Sequence, residues 1–195
     1  MLGRTPSTGE RQQLSKYLKL LIEWSSVHRL IGSTDPEWIA EHLLLDSLLF
    51  LRVVPHEAGS ILDFGAGAGL PGIPIAVVRP DARVTLLEGR RRRASFLATC
   101  VRELGLTGAR VVAARAEDVA SELAGSFDVV VMRCAGRLDE ILPVAAQFAR
   151  SEGGLVVAAG PPRETPIRIG QWLEVAGVRE GTTRRFAVLR RQHPG

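Results

Sequence analysis

One stretch limits the possible folds of this chain more than any other: "ILDFGAGAGLPGIPIA", residues 61–76. An apolar run ends in Asp63-Phe64 and gives way to glycines at 65, 67, 69 and 72. Glycine reaches positive φ and leaves room where a Cβ would intrude. A strand, a bare turn and a helix starting near Pro71 place the turn at the carboxyl edge of the first strand of a doubly wound sheet. Ligands of such sheets sit there. The stretch therefore predicts a nucleotide or nucleoside site, against the plainer reading of a tight turn with no ligand.

The flanking pattern agrees. Ser7-Thr8-Gly9-Glu10 fits a capping box, and Leu14, Tyr17, Leu18, Leu21 and Ile22 recur at helical spacing to about His28. Asp35-Pro36 supplies an N-cap and a first-turn proline for a second helix. Trp38, Ile39, His42, Leu43, Asp46 and Leu49 follow it along one side. Beyond Ser60, apolar runs at 60–64, 83–87, 110–114, 127–132, 154–159 and 184–190 predict strands. Helical stretches are expected at 72–79, 90–105, 117–124, 137–149 and 166–176. This alternation predicts an α/β, mostly parallel sheet covered on both faces. The last run, "RRFAVLRR", is expected to be an antiparallel edge strand, pairing near Val178. Residues 1–56 read as a helical N-terminal extension and 57–195 as one compact Rossmann-like domain.

With 195 residues the chain can bury a core without staples, and its two cysteines provide no disulfide framework. "MLGRTPSTGER" has no apolar core of a secretory signal, and no apolar run approaches the roughly 20 residues of a membrane span. The expected location is the cytoplasm. The net charge of +4 mildly favours an anionic partner.

Three acids bear on the nucleotide class. Asp63 would repel a pyrophosphate but suits a ligand with a positive centre, such as S-adenosylmethionine. Glu88, ending "VTLLEG", can accept from ribose hydroxyls in either class. Glu117, in "RAEDV", suits an adenine amino group. The glycines alone also match the dinucleotide fingerprint over Gly67–Gly72, so a NAD-dependent oxidoreductase remains an alternative.

"GAGAGLPGIPIAVVRPDARVTLLEGRRRRASFL" resembles the RsmG family, formerly called glucose-inhibited division protein B. "EHLLLDS" at 41–47, "RAED" at 115–118 and "MRCAG" at 132–136 are similar to that family's segments as well. The resemblance implies a class I S-adenosylmethionine-dependent methyltransferase fold and N7-methylation of a guanine in 16S ribosomal RNA. It implies cofactor contacts at Asp63, Gly65, Gly67, Gly69, Leu70, Glu88, Ala116, Glu117 and Arg133, with Arg133 the candidate catalytic residue. The chain departs from the family's pattern at Arg29-Leu30-Ile31-Gly32, at Met132 and at Ala159.

Guanine N7 carries a free lone pair, so methylation asks for alignment rather than a general base. No Ser-His-Asp or metal-ligand spacing is evident, and no metal is expected. His42 and Asp46 share a helix face, either as a local polar contact or as part of the RNA cleft. Arg90, Arg91, Arg92 and Arg93 place positive charge at a helix start, against the macrodipole. They are candidates for RNA phosphate contact or a merely solvated face. Cys100 reads as core, Cys134 as a small buried filler, and Trp24, Trp38 and Trp172 as packing on helix faces. A monomer acting on the small ribosomal subunit is expected, with a non-catalytic RNA-binding or assembly protein as the other alternative.

Overall fold

The computed structural model describes residues 3–133, 137–160 and 166–191. Cys134, Gly136 and His193 lie outside the described residues. The capping box forms as expected. Ser7 Oγ accepts from Glu10 N at 3.2 Å, and the Glu10 carboxylate accepts from Ser7 N at 2.6 Å. Helix α1 (Thr8–His28) buries Tyr17 and Leu21 on its inner face. Asp35 caps α2 (Pro36–Ile39), its carboxylate accepting from Glu37 N at 3.0 Å. The helical path then continues through a π-helical turn (Ala40–Leu45), α3 (Asp46–Leu48) and a 3-10 turn (Leu49–Arg52). The wider π turn breaks the regular spacing expected across His42 and Asp46.

Seven strands form one sheet in the order β3-β2-β1-β4-β5-β7-β6. Strands β1 (Ser60–Phe64), β2 (Arg83–Leu87), β3 (Ala109–Val112), β4 (Val129–Met132) and β5 (Leu155–Ala159) pair in parallel. Helices α4 (Gly72–Val78), α5 (Arg91–Glu103), α6 (Ala116–Leu123) and α7 (Leu138–Ala146) connect them. The period-2 geometry of strands divides the central residues between two apolar clusters. Ile61, Val129, Val131 and Val157 face α1, α4, α5 and the 36–52 segment. Leu62, Val130, Met132 and Val156 face α6 and α7. Residues 8–52 thus share a core with the sheet, sealed by Phe50 edge-on to Phe186 at 4.7 Å.

The C-terminal part departs from expectation. Residues 171–176 form strand β6 (Gln171–Ala176) rather than the tail of a helix, and Trp172 stands on that strand. Trp172 and Val175, three apart, imitate helical spacing. Gly170 and Gly177 bracket only six residues, however, a strand's length rather than a helix's. Strand β7 (Thr183–Arg190) is antiparallel but not at the edge. It inserts between β5 and β6, and its hairpin to β6 closes through Gly177 N to Thr182 O at 2.8 Å. Phe186 and Ala187, both fully buried, fit that interior place. The third strand stops at Val112, short of Ala114.

Candidate active site

The glycine turn is held from three directions. Ala66 N donates to Leu87 O at 2.9 Å, Gly67 N to the Glu88 carboxylate at 2.9 Å, and the buried Tyr17 hydroxyl to Ala68 O at 2.7 Å. Gly65, Gly67 and Gly69 have φ of 69°, 59° and 87°, the left-handed region. Their surroundings differ. A Cβ on Gly65 would meet open space, whereas one on Gly69 would lie 2.6 Å from Ile73. On Gly72 it would lie 2.4 Å from Leu86 and 2.5 Å from Asp63. Gly69 and Gly72 therefore let α4 pack closely on the sheet, and Gly65 leaves space for something outside the chain.

That space is a cavity of about 600 Å³ at the carboxyl ends of β1, β2 and β3, lined in part by Gly65, Glu88, Ala116, Glu117 and Ile141. Glu88 is buried, and its carboxylate accepts from Gly67 N at 2.9 Å and from Arg90 N at 2.7 Å. Both oxygens are oriented by backbone yet keep lone pairs for further donors. Phe64, Leu87 and Val144 add apolar wall. A buried acceptor pair, an apolar slot and an acid at its far end fit an adenosine-type group such as that of S-adenosylmethionine.

Asp63, Gly67, Gly69 and Leu70 are not among the residues that line this cavity. Asp63 is wholly buried; one oxygen accepts from Gly72 N at 2.8 Å, and the other has no hydrogen-bond partner among the described residues. Burial lifts its pKa to about 7, against the Gly72 hydrogen bond and with help from the Glu88 charge.

Arg133, at the end of β4, faces elsewhere. Its guanidinium donates to the carbonyls of His42 at 2.8 Å and Leu43 at 3.2 Å, and lies 3.2 Å from the Asp46 carboxylate. Its partner acid is Asp46, because the π turn delivers carbonyls and carboxylate together to the β4 end. Burial pulls the guanidinium below its ordinary pKa, with Asp46 opposing. Asp46 also pairs with Arg184 of β7 at 3.0 Å. His42 and Asp46 do not pair with each other. His42 stacks on Trp38 with centroids 4.9 Å apart and planes 13° from parallel. Trp38 is 41% exposed and is no core residue. These groups line a second cavity of about 530 Å³ beside the ends of β4 and β5, with Arg179 and Arg184 also in its wall.

Arg90 caps α5 and edges the first cavity; Arg91 and Arg92 are exposed and Arg93 is half-buried near Gly67. None of the four has an acidic partner among the described residues. Cys100 is buried in the core, which pushes its thiol up to about 12 and leaves it inert. Among the described residues no cluster of His, Cys, Asp or Glu could hold a metal. Nor is any helix there long and apolar enough to cross a membrane. Sequence reasoning missed Arg184 and Trp38 as cavity residues, and the α7 wall at Ile141 and Val144. Asp46 and Arg184 are joined only by the sheet order, so no local spacing could have announced them.

Comparison with known proteins converges. The family model described as rRNA small subunit methyltransferase G matches residues 10–171. Ribosomal RNA small subunit methyltransferase G of Sorangium cellulosum is 37% identical over 88% of this chain and 73% of its own length. The protein of the same name from Mesoplasma florum is 31% identical over 86% and 70%. Among solved structures, a methyltransferase from Geobacter sulfurreducens superposes with a TM-score of 0.62 at 13% identity, covering 97% of this chain and 92% of its own. The O-methyltransferase TomG from Streptomyces achromogenes, in complex with SAM, superposes at 0.59 with 20% identity, covering 96% and 92%. These two likenesses establish the class I methyltransferase fold.

Proposed function

The chain belongs to the rRNA small subunit methyltransferase G family, and from that premise we propose that it methylates N7 of a guanine in 16S ribosomal RNA, with S-adenosylmethionine as donor. The observation that carries the reading is the 600 Å³ cavity in which Gly65 leaves room and Glu88 presents two backbone-oriented oxygens. S-adenosylmethionine supplies an electrophilic methyl group when bound. Glu88 would hold the ribose, Ala116 and Glu117 the adenine edge, and Gly65 the close approach of the main chain. Gly67 and Gly69, with Leu70, shape the turn, and Asp63 holds its far end through Gly72 N. Guanine N7 loses no proton on methylation, so what the chain must provide is alignment and exclusion of water. No base is asked of Glu88, oriented by Gly67 N and Arg90 N towards the cavity, or of Asp63, wholly buried and bonded to Gly72 N.

Arg90, Arg91, Arg92 and Arg93 extend from the cavity rim as uncompensated cations, the chemistry that RNA phosphates select. We take the protein to act in the cytoplasm, as a monomer, with residues 1–56 as a helical extension of the methyltransferase domain. Family membership sets aside the nicotinamide and non-catalytic alternatives.

The test is transfer of labelled methyl to small-subunit particles from a strain lacking the modification, followed by digestion and mass analysis. N7-methylguanosine at one position is the expected product. Methyl on another atom or base refutes the N7 assignment, and no transfer despite cofactor binding refutes the reaction.

A further inference from the structure

Resting on that reading, we propose that the second cavity is the pocket that reads the target guanine, with Trp38 as its stacking face and Asp46 and Arg184 as its hydrogen-bonding wall. Three observations support this. The 530 Å³ cavity opens at the ends of β4 and β5, on the other side of β1 from the cofactor-type cavity. Trp38 presents an exposed indole backed by the parallel ring of His42, a platform on which any base can stack. The wall is a shared ion-pair cluster. Asp46 Oδ2 lies 3.2 Å from Arg133 and Asp46 Oδ1 lies 3.0 Å from Arg184, and all three residues line the cavity. A carboxylate and a guanidinium fixed side by side offer acceptor and donor capacity in one place.

The lining decides the occupant. Glu41 pairs with Arg179, and Asp46 is shared by Arg133 and Arg184. Donors and acceptors alternate with little uncompensated charge, which suits a neutral heterocycle better than a phosphate. Guanine offers a donor pair, N1–H and the 2-amino group, to a carboxylate, and O6 to a guanidinium. Adenine would set the N1 lone pair against the same carboxylate. Holding the base by its Watson–Crick edge leaves N7, on the opposite edge, free to be methylated. The methylated base carries a positive charge that makes N1–H more acidic, so a carboxylate facing that edge favours the charged product over the neutral substrate.

The experiment uses the full chain saturated with S-adenosylhomocysteine and carrying Trp24→Phe and Trp172→Phe, which leaves Trp38 as the sole indole. GMP, AMP and inorganic phosphate are titrated against its fluorescence. GMP is expected to quench Trp38 and to bind at least about tenfold more tightly than AMP. Asp46→Asn should erase that preference while leaving S-adenosylhomocysteine affinity unchanged. Saturation-transfer NMR of GMP H8 on the otherwise unaltered protein, with Trp38→Leu as the silencing variant, reads the same contact without the background substitutions. Equal binding of GMP and AMP, competition by phosphate alone, or a preference that survives Asp46→Asn overturns the proposal. Methyl transfer to the small subunit without any GMP preference would leave the parent reading intact and remove this one.

Discussion

The hydroxyl of Tyr17, in the first helix, donates to the carbonyl of Ala68, in the glycine turn, across 2.7 Å of fully buried interior. The extension is thereby fastened to the loop that shapes the cofactor-type cavity. Tyr17→Phe should leave that carbonyl unpaired and cost about 1–3 kcal/mol of stability. It should also weaken S-adenosylhomocysteine binding, as the turn loses one of its three anchors. Urea unfolding and calorimetric titration measure the two effects. Unchanged binding with lowered stability would make the bond a packing feature alone.

The glycines of the turn should separate cleanly. Gly65→Ala meets no protein atom, so its stability loss should be only the roughly 1–2 kcal/mol of a left-handed non-glycine residue. Cofactor affinity should fall steeply. Gly69→Ala adds a clash with Ile73 to the same strain and should destabilise more. Melting curves and binding isotherms on the pair are the check; the reverse order would mean that Gly65 does not face the ligand.

Asp63 makes stability depend on pH. Its folded pKa is raised from 3.8 to about 7, so the folded state holds the proton more firmly than the unfolded chain. This contribution is complete below about pH 4, declines as the pH rises towards 7, and is lost above it. Asp63→Asn should flatten unfolding free energy across that window. Carbon NMR of the Asp63 carboxyl should show a midpoint well above those of exposed aspartates.

Arg133→Lys keeps the charge but cannot reach the carbonyls of His42 and Leu43 and the Asp46 carboxylate together. Melting should fall along with methyl transfer, because the same fork ties β4 to the 36–52 segment. Full activity at unchanged melting would deny the fork any role.

Replacing Arg90, Arg91 and Arg93 together by Gln should flatten the salt dependence of RNA affinity. Each lost phosphate contact lowers the slope of log affinity against log salt by about 0.7–0.9. An identical slope would leave the run a solvated face.

Much of this was legible in the sequence because the relevant forces are local. Ser7 with Glu10, Asp35 with Pro36, and the turn after Asp63 announce themselves within a few residues. Glu88 and Glu117 were legible because each follows a strand. What stayed hidden depends on which strand lies beside which. Arg133 was expected among the cofactor contacts, but its side chain turns to the face where the π turn brings Asp46. The insertion of β7 has no signature in Thr183–Arg190 beyond the apolar centre at Phe186 and Ala187. Trp172 shows the opposite failure, a helical spacing overridden by the pairing available along β7.

The interior position of β7 has a consequence for synthesis. On a ribosome the chain emerges from its amino end, and until Thr183–Arg190 is out, β5 stays an unpaired, apolar sheet edge and Asp46 lacks one of its two arginines. Such edges invite pairing with other chains. A product interrupted before Thr183 therefore keeps the turn that would bind the cofactor but exposes the strand that β7 must cover. The nascent protein is most prone to aggregate in the interval just before its seventh strand arrives.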